Sequence, residues 1–425
     1  MQKQSFVLKG DICFSKNKDE IKNIHDGYVV CIDGISEGAY EKIPEEYKDL
    51  EVIDYSGKLI LPGLVDLHVH APQFSYRGLG MDLELIDWLN TYTFPQEAKY
   101  ADIKYAREMY QRFVDDVKNG PNTRSVVFGT LHVESTIELM DIFEKSGMVS
   151  YIGKVNMDRN GSENLQEESA NQSAKDTIRW IEAVQDRYER TFPIITPRFT
   201  PSCSDDLMRQ LSIIRKKYNV KVQSHLSENQ GEIKWVGELC PYTDFYGQAY
   251  SQFNMFGGDC PTVMAHCVWS CEEEQELIKK QGVFIAHCPN SNTNLSSGIA
   301  PVRKYINDNQ NIGLGSDVAG GTHTSIFKAM ADAISVSKLR WRLVDQNYAP
   351  ITAAEAFYLG TIGGGKFFGK VGSFESGYEF DAIVVDDSRY TPQNQWDDVQ
   401  RLEKTIYLSY DSDVIHKYVQ GKKLF

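Results

Sequence analysis

The 425-residue sequence is poor in cysteine, has no excess of basic residues and contains no long apolar run. Its eight cysteines, about 2% of the chain, are too few for a disulfide scaffold. Lysine and arginine number 45 against 59 aspartates and glutamates, and the formal charge of −14 opposes binding to nucleic acid. No stretch reaches the about 18 apolar residues of a membrane helix, and the N-terminus has no apolar signal-peptide region. We therefore expect a cytoplasmic protein that binds neither nucleic acid nor a membrane.

Both ends of the chain have the pattern of short strands and turns. The content of hydrophobic residues, 41%, is enough for one large core and a smaller one. The strand-like runs near the ends are residues 5–14, 27–35, 51–61, 381–385 and 405–408. We predict that residues 1–62 and 370–425 together form a small β-sandwich domain, and that residues 63–369 form the larger domain.

Between these ends, apolar runs alternate with helical stretches. The runs are residues 61–70, 124–131, 149–156, 194–200, 220–226, 262–267, 283–288 and 312–318. Two helix starts carry the capping-box pattern, at Ser270 with Glu273 and at Thr352 with Glu355. Eight such βα units predict an α/β fold, a TIM-type (β/α)8 barrel. A doubly wound open sheet is the alternative, but no Gly-x-Gly-x-x-Gly turn follows the first strand.

Five of the nine histidines fall at the predicted strand ends, where a barrel has its active site. His68 and His70 end the first run and project from the same face, because side chains of a strand alternate. The remaining strand-end residues of this kind are His225, His266, His287 and Asp317. Three imidazoles and a carboxylate suit a catalytic Zn²⁺ that keeps a position for water, and Fe²⁺ suits the same donors.

Not every histidine belongs to this group. His25, His132, His323 and His416 are interpreted as structural residues, since a lone histidine seldom binds a metal. His287 opens a turn-rich segment in which its ring can brace the loop, so we leave it out of the ligand set.

Glu228 follows His225 by three residues and is the candidate proton carrier. Hydrolysis by a metal-activated water requires that the leaving group gains protons. A carboxylate beside a metal ligand can supply them. The alternative interpretation is a helix-start carboxylate stabilised by the helix dipole.

The run PGLVDLHVH, residues 62–70, resembles the first-strand motif of the amidohydrolase superfamily. Within it, further segments look like the guanine deaminases. These segments are residues 71–73 (APQ), 88–97 (WLNTYTFPQE), 197–199 (PRF), 224–229, 288–297 and 313–321. The resemblance implies deamination of guanine to xanthine and ammonia by a metal-activated water.

The resemblance also assigns roles to individual residues. The implied metal ligands are His68, His70, His225 and Asp317, which hold one Zn²⁺ per chain. The implied catalytic residues are Glu228, Asp317 and His266, the last as a hydrogen-bonding group. The implied substrate-binding residues are Gln73, Trp88, Arg198, Phe199, His225, Glu228 and Asp317. Arg198 has a competing interpretation as the partner of an acidic neighbour, and Trp88 as an ordinary core residue.

Several alternatives remain open at this point. Two-metal relatives carry a carbamylated lysine at the end of strand four, whereas this sequence has residues 197–199 there and its nearest strand lysine is Lys154. The substrate alternatives are 8-oxoguanine, an adenine derivative, cytosine or a triazine-like ring. The alternative to an enzyme is a non-catalytic scaffold, and the resemblance implies a homodimer.

Overall fold

The computed structural model describes residues 4–392 and 395–425, and both ends of the chain meet in one mixed sheet of seven strands, here the terminal sheet. Its strands are β1 (Phe6–Ser15), β2 (Ile21–Ile32), β3 (Ile35–Tyr40), β4 (Val52–Pro62), β14 (Ala382–Val385), β15 (Val414–Val419) and β16 (Lys422–Lys423). The strand order is β16-β15-β14-β4-β1-β2-β3. The prediction of a β-domain built from both ends is confirmed.

A separate apolar core holds the terminal sheet together. Phe6, Phe374, Phe380 and Tyr418 are fully or almost fully buried in it and contact one another through their rings. One strand prediction in this region is wrong, because residues 405–408 lie in a helix that begins at Asp398. The Asp397 side chain accepts a hydrogen bond from the Gln400 amide and caps that helix, a start signal that the apolar run hides.

The larger sheet is a parallel barrel. Its strands are β5 (Leu64–His70), β6 (Asn122–Phe128), β7 (Val149–Gly153), β8 (Val155–Asn156), β9 (Thr191–Pro197), β10 (Lys221–Leu226), β11 (Thr262–His266), β12 (Phe284–His287) and β13 (Asn311–Leu314). The third predicted run is divided into β7 and β8 around the buried Lys154. The path runs from β5 through β6, β7, β9, β10, β11 and β12 to β13. The predicted eight-stranded barrel is confirmed.

Backbone hydrogen bonds beyond the end of β13 close the ring. The Asp317 amide donates to the His68 carbonyl at 2.8 Å, and the His70 amide donates to the Val318 carbonyl at 3.1 Å. The predicted eighth strand, residues 312–318, ends early, at Leu314. Beyond it the Ser316 amide donates to the buried Asp66 carboxylate instead of to a neighbouring strand, and the Ser316 hydroxyl donates to the same carboxylate. Asp317 follows in the left-handed region, with φ of 47°.

Helices surround the barrel and connect its strands. They are α1 (Leu85–Trp88), α2 (Phe94–Glu97), α3 (Ile103–Asn119), α4 (Val133–Ser146), α5 (Ala170–Val184), α6 (Asp205–Tyr218), α7 (Gln230–Leu239), α8 (Gln248–Ser251), α9 (Glu272–Gln281), α10 (Pro289–Asn294), α11 (Val302–Asn307), α12 (Ile326–Leu343), α13 (Ala353–Tyr358) and α14 (Asp398–Leu408). Short 3₁₀ or π segments include Ala71–Tyr76, Leu89–Thr93 and Leu359–Gly363. Among the described residues, none of these helices has the length and apolar character needed to cross a bilayer.

The two predicted capping boxes have different outcomes. At Thr352 and Glu355 the reciprocal hydrogen bonds are both present, which confirms that prediction. At Ser270 and Glu273 the prediction is wrong, because α9 starts one residue later, after Cys271, without a side-chain cap. The acidic first turn of α9 is favoured by the helix dipole instead.

A buried arginine connects the barrel to the terminal sheet. Arg124, on β6, donates to both carboxylate oxygens of Asp381 at 2.6 and 3.1 Å and to Glu379 at 2.9 Å. Lys417, on β15, is also buried and donates to the carbonyls of Val117 and Asn122. These bonds attach β6 to the terminal sheet, and β6 pairs directly with β5, the strand that carries His68 and His70.

Candidate active site

A cavity lies at the carboxyl ends of the barrel strands. Nine of the ten predicted site residues line it: His70, Gln73, Trp88, Arg198, Phe199, His225, Glu228, His266 and Asp317. The tenth, His68, is fully buried beneath His70. Residues separated by up to about 250 positions in the sequence therefore meet in one place, as the strand-end argument predicts.

Three imidazoles and a carboxylate converge at the floor of this cavity. The Nε2 atom of His70 lies 3.1 Å from Nε2 of His68 and 3.2 Å from Nε2 of His225. An oxygen of Asp317 lies 3.1 Å from Nε2 of His68 and 3.4 Å from Nε2 of His70. The strand period turns both first-strand rings toward the same point, and β10 brings the third.

The hydrogen bonds of two rings determine which nitrogen faces the cavity floor. His225 Nδ1 lies 2.6 Å from the Arg198 carbonyl, and His266 Nδ1 lies 2.8 Å from the side-chain oxygen of Asn292. Since a carbonyl oxygen only accepts, each Nδ1 donates and each Nε2 presents a lone pair. Nitrogen lone pairs therefore face one another and a carboxylate in a buried space. Such a set of donors is suited to bind a divalent cation.

Burial controls the charge of these groups. Burial and then the nearby His68 hold the pKa of His70 and His225 well below the usual range, so both imidazoles are neutral, as metal ligands must be. Burial alone would raise the pKa of Asp317, but the adjacent imidazoles, His68 first, hold it below its usual range. The floor of the cavity thus combines neutral nitrogen donors with one carboxylate.

His266 lies between the two acidic side chains of the site. Its Nε2 atom is 3.3 Å from Glu228 and 3.7 Å from Asp317. The rings of His266, His68 and His225 each also offer one possible ligand atom, and these atoms lie within 4.8 Å of one another. The geometry therefore allows His266 to bind a metal as well as to hydrogen-bond beside it.

The Glu228 carboxylate is buried and held from two sides. One oxygen accepts a hydrogen bond from the Ser297 hydroxyl at 3.0 Å, and the other faces His266. Its backbone amide donates to Glu232, which also completes the capping box of α7 with Asn229. Burial, and then the charge of Asp317, raise the pKa of Glu228 to about 8. Such a group exchanges a proton readily near neutral pH.

Gln73 and Arg198 are polar residues that line a wall of the same cavity. Arg198 donates to both oxygens of the buried Glu97, at 2.6 and 3.1 Å. Gln73 donates to Glu97 at 2.8 Å and accepts from the Ala319 amide at 3.0 Å. Arg198 therefore does have an acidic partner, as the competing interpretation requires, and it lines the cavity at the same time.

Aromatic and aliphatic side chains complete this wall. Trp88 and Phe199 are almost fully buried and line the cavity together with Leu85 and Leu89. The indole nitrogen of Trp88 donates to the Leu79 carbonyl at 2.9 Å, which fixes the ring plane. Flat apolar surfaces beside a few fixed polar groups are suited to an aromatic heterocycle.

The structure adds residues to which sequence reasoning gave no role. Glu97 ends the segment 88–97, while Asn292 and Ser297 lie in the segment 288–297, and both segments carry the family resemblance. Glu232 also lines the cavity. The capping-box spacing from Asn229 to Glu232 was a local signal for the last of these, whereas the others depend on contacts between distant segments.

Two residues left outside the ligand set, His287 and Lys154, do not line the cavity. His287 is buried at the end of β12, and neither of its ring nitrogens has a hydrogen-bond partner among the described residues. Burial lowers its pKa to about 3. Lys154 forms an ion pair with Glu167 and donates to the Val155 carbonyl. Its ammonium is therefore engaged away from the His68–Asp317 group.

The chain has extensive similarity to known proteins. The model of the amidohydrolase family matches residues 59–424. The chain is 37% identical to the guanine deaminase of Dictyostelium discoideum, over 96% of this chain and 90% of that protein. It is 34% identical to the guanine deaminase of Escherichia coli K12, over 96% and 94%. A solved guanine deaminase from C. acetobutylicum with guanine bound in its active site has a TM-score of 0.96 at 45% identity, over 99% of this chain and 100% of that one.

Proposed function

This chain belongs to the amidohydrolase family, and on that premise we propose that it hydrolyses guanine to xanthine and ammonia. The observation that carries the proposal is that one cavity is lined by two groups of fixed polar residues. His68, His70 and Asp317 converge on its floor, and the fixed pair of Gln73 and Arg198 lines a wall of the same cavity. A purine bound between them would present its reactive carbon to the floor and its polar edge to Gln73 and Arg198.

The short distances that His68 and His70 make to each other, to His225 and to Asp317 suit one divalent metal per chain, and we assign it as Zn²⁺, with Fe²⁺ as the alternative. When bound, such an ion lowers the pKa of a water molecule enough to provide a nucleophile near neutral pH. A second, lysine-bridged ion has no support, because Lys154 is paired with Glu167. His266 then acts as a hydrogen-bonding residue beside the reacting atoms.

Glu228 moves the first proton. Its carboxylate takes a proton from the attacking water and delivers it to N3 of the base while the water oxygen bonds to C2. The bond from C2 to the exocyclic nitrogen then breaks. The second water proton reaches the leaving amine through Asp317, so that xanthine and ammonia are the products. A pKa of about 8 suits Glu228 for both accepting and donating.

The base is held by groups that do not exchange protons. Gln73 and Arg198 hydrogen-bond its polar edge, while Trp88 and Phe199 enclose its ring. Because Glu97 and the Ala319 amide already orient Gln73, its amide is fixed before the base arrives. Fixed donors and acceptors give up little conformational freedom on binding.

Ammonia release from a panel of bases tests the proposal. We expect turnover of guanine, with about one metal per chain measured on the same sample. The panel includes 8-oxoguanine, adenine, adenosine, cytosine and a triazine. Turnover of one of these rings in place of guanine would contradict the assigned substrate, and metal-loaded protein inert toward every base would favour the non-catalytic scaffold.

Replacement of Arg198 by alanine is expected to weaken guanine binding more than catalysis. Hydrogen bonds to a charged group contribute about 1.5–3 kcal/mol, so KM for guanine should rise about 10- to 100-fold while kcat falls less. Steady-state kinetics and thermal unfolding measure both effects. Arg112→Ala is the matched control, because Arg112 pairs with Glu108 on the exposed face of α3. An unchanged KM would remove Arg198 from the base-binding wall.

Three broader assignments accompany this activity. The reaction places the protein in purine catabolism. A homodimer is supported by the exposed apolar side chains of Leu339, Leu343 and Val344 around the end of α12. A cytoplasmic location is supported by the eight cysteines, none of which forms a disulfide within the described chain.

A further inference from the structure

Glu97 holds both polar groups of the base-binding wall, although it does not line the cavity. It ends α2, which directly follows the π segment Leu89–Thr93. Its carboxylate accepts from Arg198 through both oxygens and from Gln73 through one of them. Glu97 is 2% exposed, and Arg198 and Gln73 are each 3% exposed, so water does not compete for these bonds.

The contact between Glu97 and Arg198 determines the net charge of this wall of the cavity. Arg198 is the only lysine or arginine that lines the cavity within the described chain. In a buried site an unpaired guanidinium attracts anions strongly, because little water screens it. The Glu97 carboxylate lies in direct contact with the guanidinium and cancels its charge. The wall therefore offers directed hydrogen-bond donors without a net positive charge.

We propose that Glu97 is a specificity-determining positioning residue, which neutralises Arg198 so that the cavity prefers a neutral purine base to an anionic one. This inference rests on the proposed deamination of guanine. Guanine is neutral near neutral pH, whereas xanthine loses its first proton close to neutrality. The substrate is thus accepted, and the product is released in its anionic form.

A second contribution of Glu97 is geometric. The two oxygens of its carboxylate match the planar fork of Arg198, which fixes the rotation of the guanidinium. The bond from Gln73 to Glu97 orients the amide, whose oxygen accepts from the Ala319 amide. The shorter side chain of Glu97→Asp would keep the charge but move it away from both donors.

The test compares two inhibitors in Glu97→Gln and the unmodified enzyme, at slightly alkaline pH. Under these conditions xanthine is largely an anion and hypoxanthine is largely neutral. We expect xanthine to bind Glu97→Gln about tenfold more tightly, a change of about 1.4 kcal/mol, while hypoxanthine binds equally or less tightly. Glu97→Asp should keep the original preference and lose affinity for both. Equal weakening of both inhibitors in Glu97→Gln would mean a merely structural role and would overturn the proposal.

The double variant Glu97→Gln with Arg198→Gln distinguishes an effect of charge on xanthine affinity from an effect of altered folding. It removes both charges, so the gain in xanthine affinity should disappear; a gain that persists would contradict the role of Arg198. Glu108→Gln is the control, since Glu108 and Arg112 form an exposed pair of the same type. Calorimetric binding of both inhibitors requires no turnover. An enzyme inert toward guanine would therefore refute the proposed function, while the binding preference would still decide the role of Glu97.

Discussion

Replacement of Glu228 by glutamine is expected to reduce kcat for guanine by about 10²- to 10⁴-fold, the range that a positioned general acid–base group contributes. Glutamine keeps the shape of the side chain and can still accept from the Ser297 hydroxyl. Its amide can neither accept a proton from the attacking water nor deliver one to N3 of the base. Metal content and inhibitor affinity should therefore stay close to those of the unmodified enzyme.

Pre-steady-state and steady-state ammonia release, with metal analysis of the same preparations, measure this effect. Glu238→Gln is the matched control, because Glu238 lies on the exposed face of α7, ten positions from Glu228. Near-full activity of Glu228→Gln would refute its role as proton carrier. Loss of metal along with activity would show instead that Glu228 acts by supporting the ligand set.

Removal of the Asp317 carboxylate is expected to abolish both metal binding and turnover. Asp317 supplies the only carboxylate among the four assigned ligands, with one oxygen 3.1 Å from His68 Nε2 and 3.4 Å from His70 Nε2. Even the groups that merely support ligands contribute about 10- to 100-fold to metal affinity, so loss of a ligand in Asp317→Ala should exceed about 100-fold.

Metal titration of the metal-free protein, followed by activity measurement, quantifies this prediction. Asp115→Ala is the control, since Asp115 lies on the exposed face of α3. A variant of Asp317 that stays loaded and active would remove this residue from the ligand set. Circular dichroism at the same temperature verifies that the barrel is intact, because Asp317 also joins β5 through its backbone amide.

The barrel was predictable from the sequence because its strands are buried runs with regular spacing. Even so, local pattern gave the wrong element for residues 405–408: Thr405 and Ile406 are buried on the inner face of α14, whereas Tyr407 and Leu408 are exposed. The early end of β13 was also not visible locally, because it depends on Asp66, which lies 250 positions away from Ser316. Contacts of this range leave no signal in the spacing of neighbouring residues.

The candidate site was also predictable where it depends on the barrel, and not where it depends on contacts between distant side chains. Strand ends identified His68, His70, His225 and Asp317 as neighbours, since the barrel brings all its carboxyl ends together. The partner of Arg198 was foreseen only as some acidic neighbour. Glu97 lies 101 positions before it, on a short helix, and only the folded chain shows that the two meet. Position on a scaffold is thus predictable, while pairing among side chains is not.

The order of strands in the terminal sheet has a consequence for synthesis of the chain on the ribosome. β4, with the buried residues Leu59, Ile60 and Leu61, is paired on one side by β14, which begins about 320 residues later. At about 5–20 residues per second, that edge waits roughly 15 to 65 seconds for its partner. During this time an apolar strand edge is free to join other chains. Slow translation or truncation before Ala382 should therefore increase aggregation of the nascent protein.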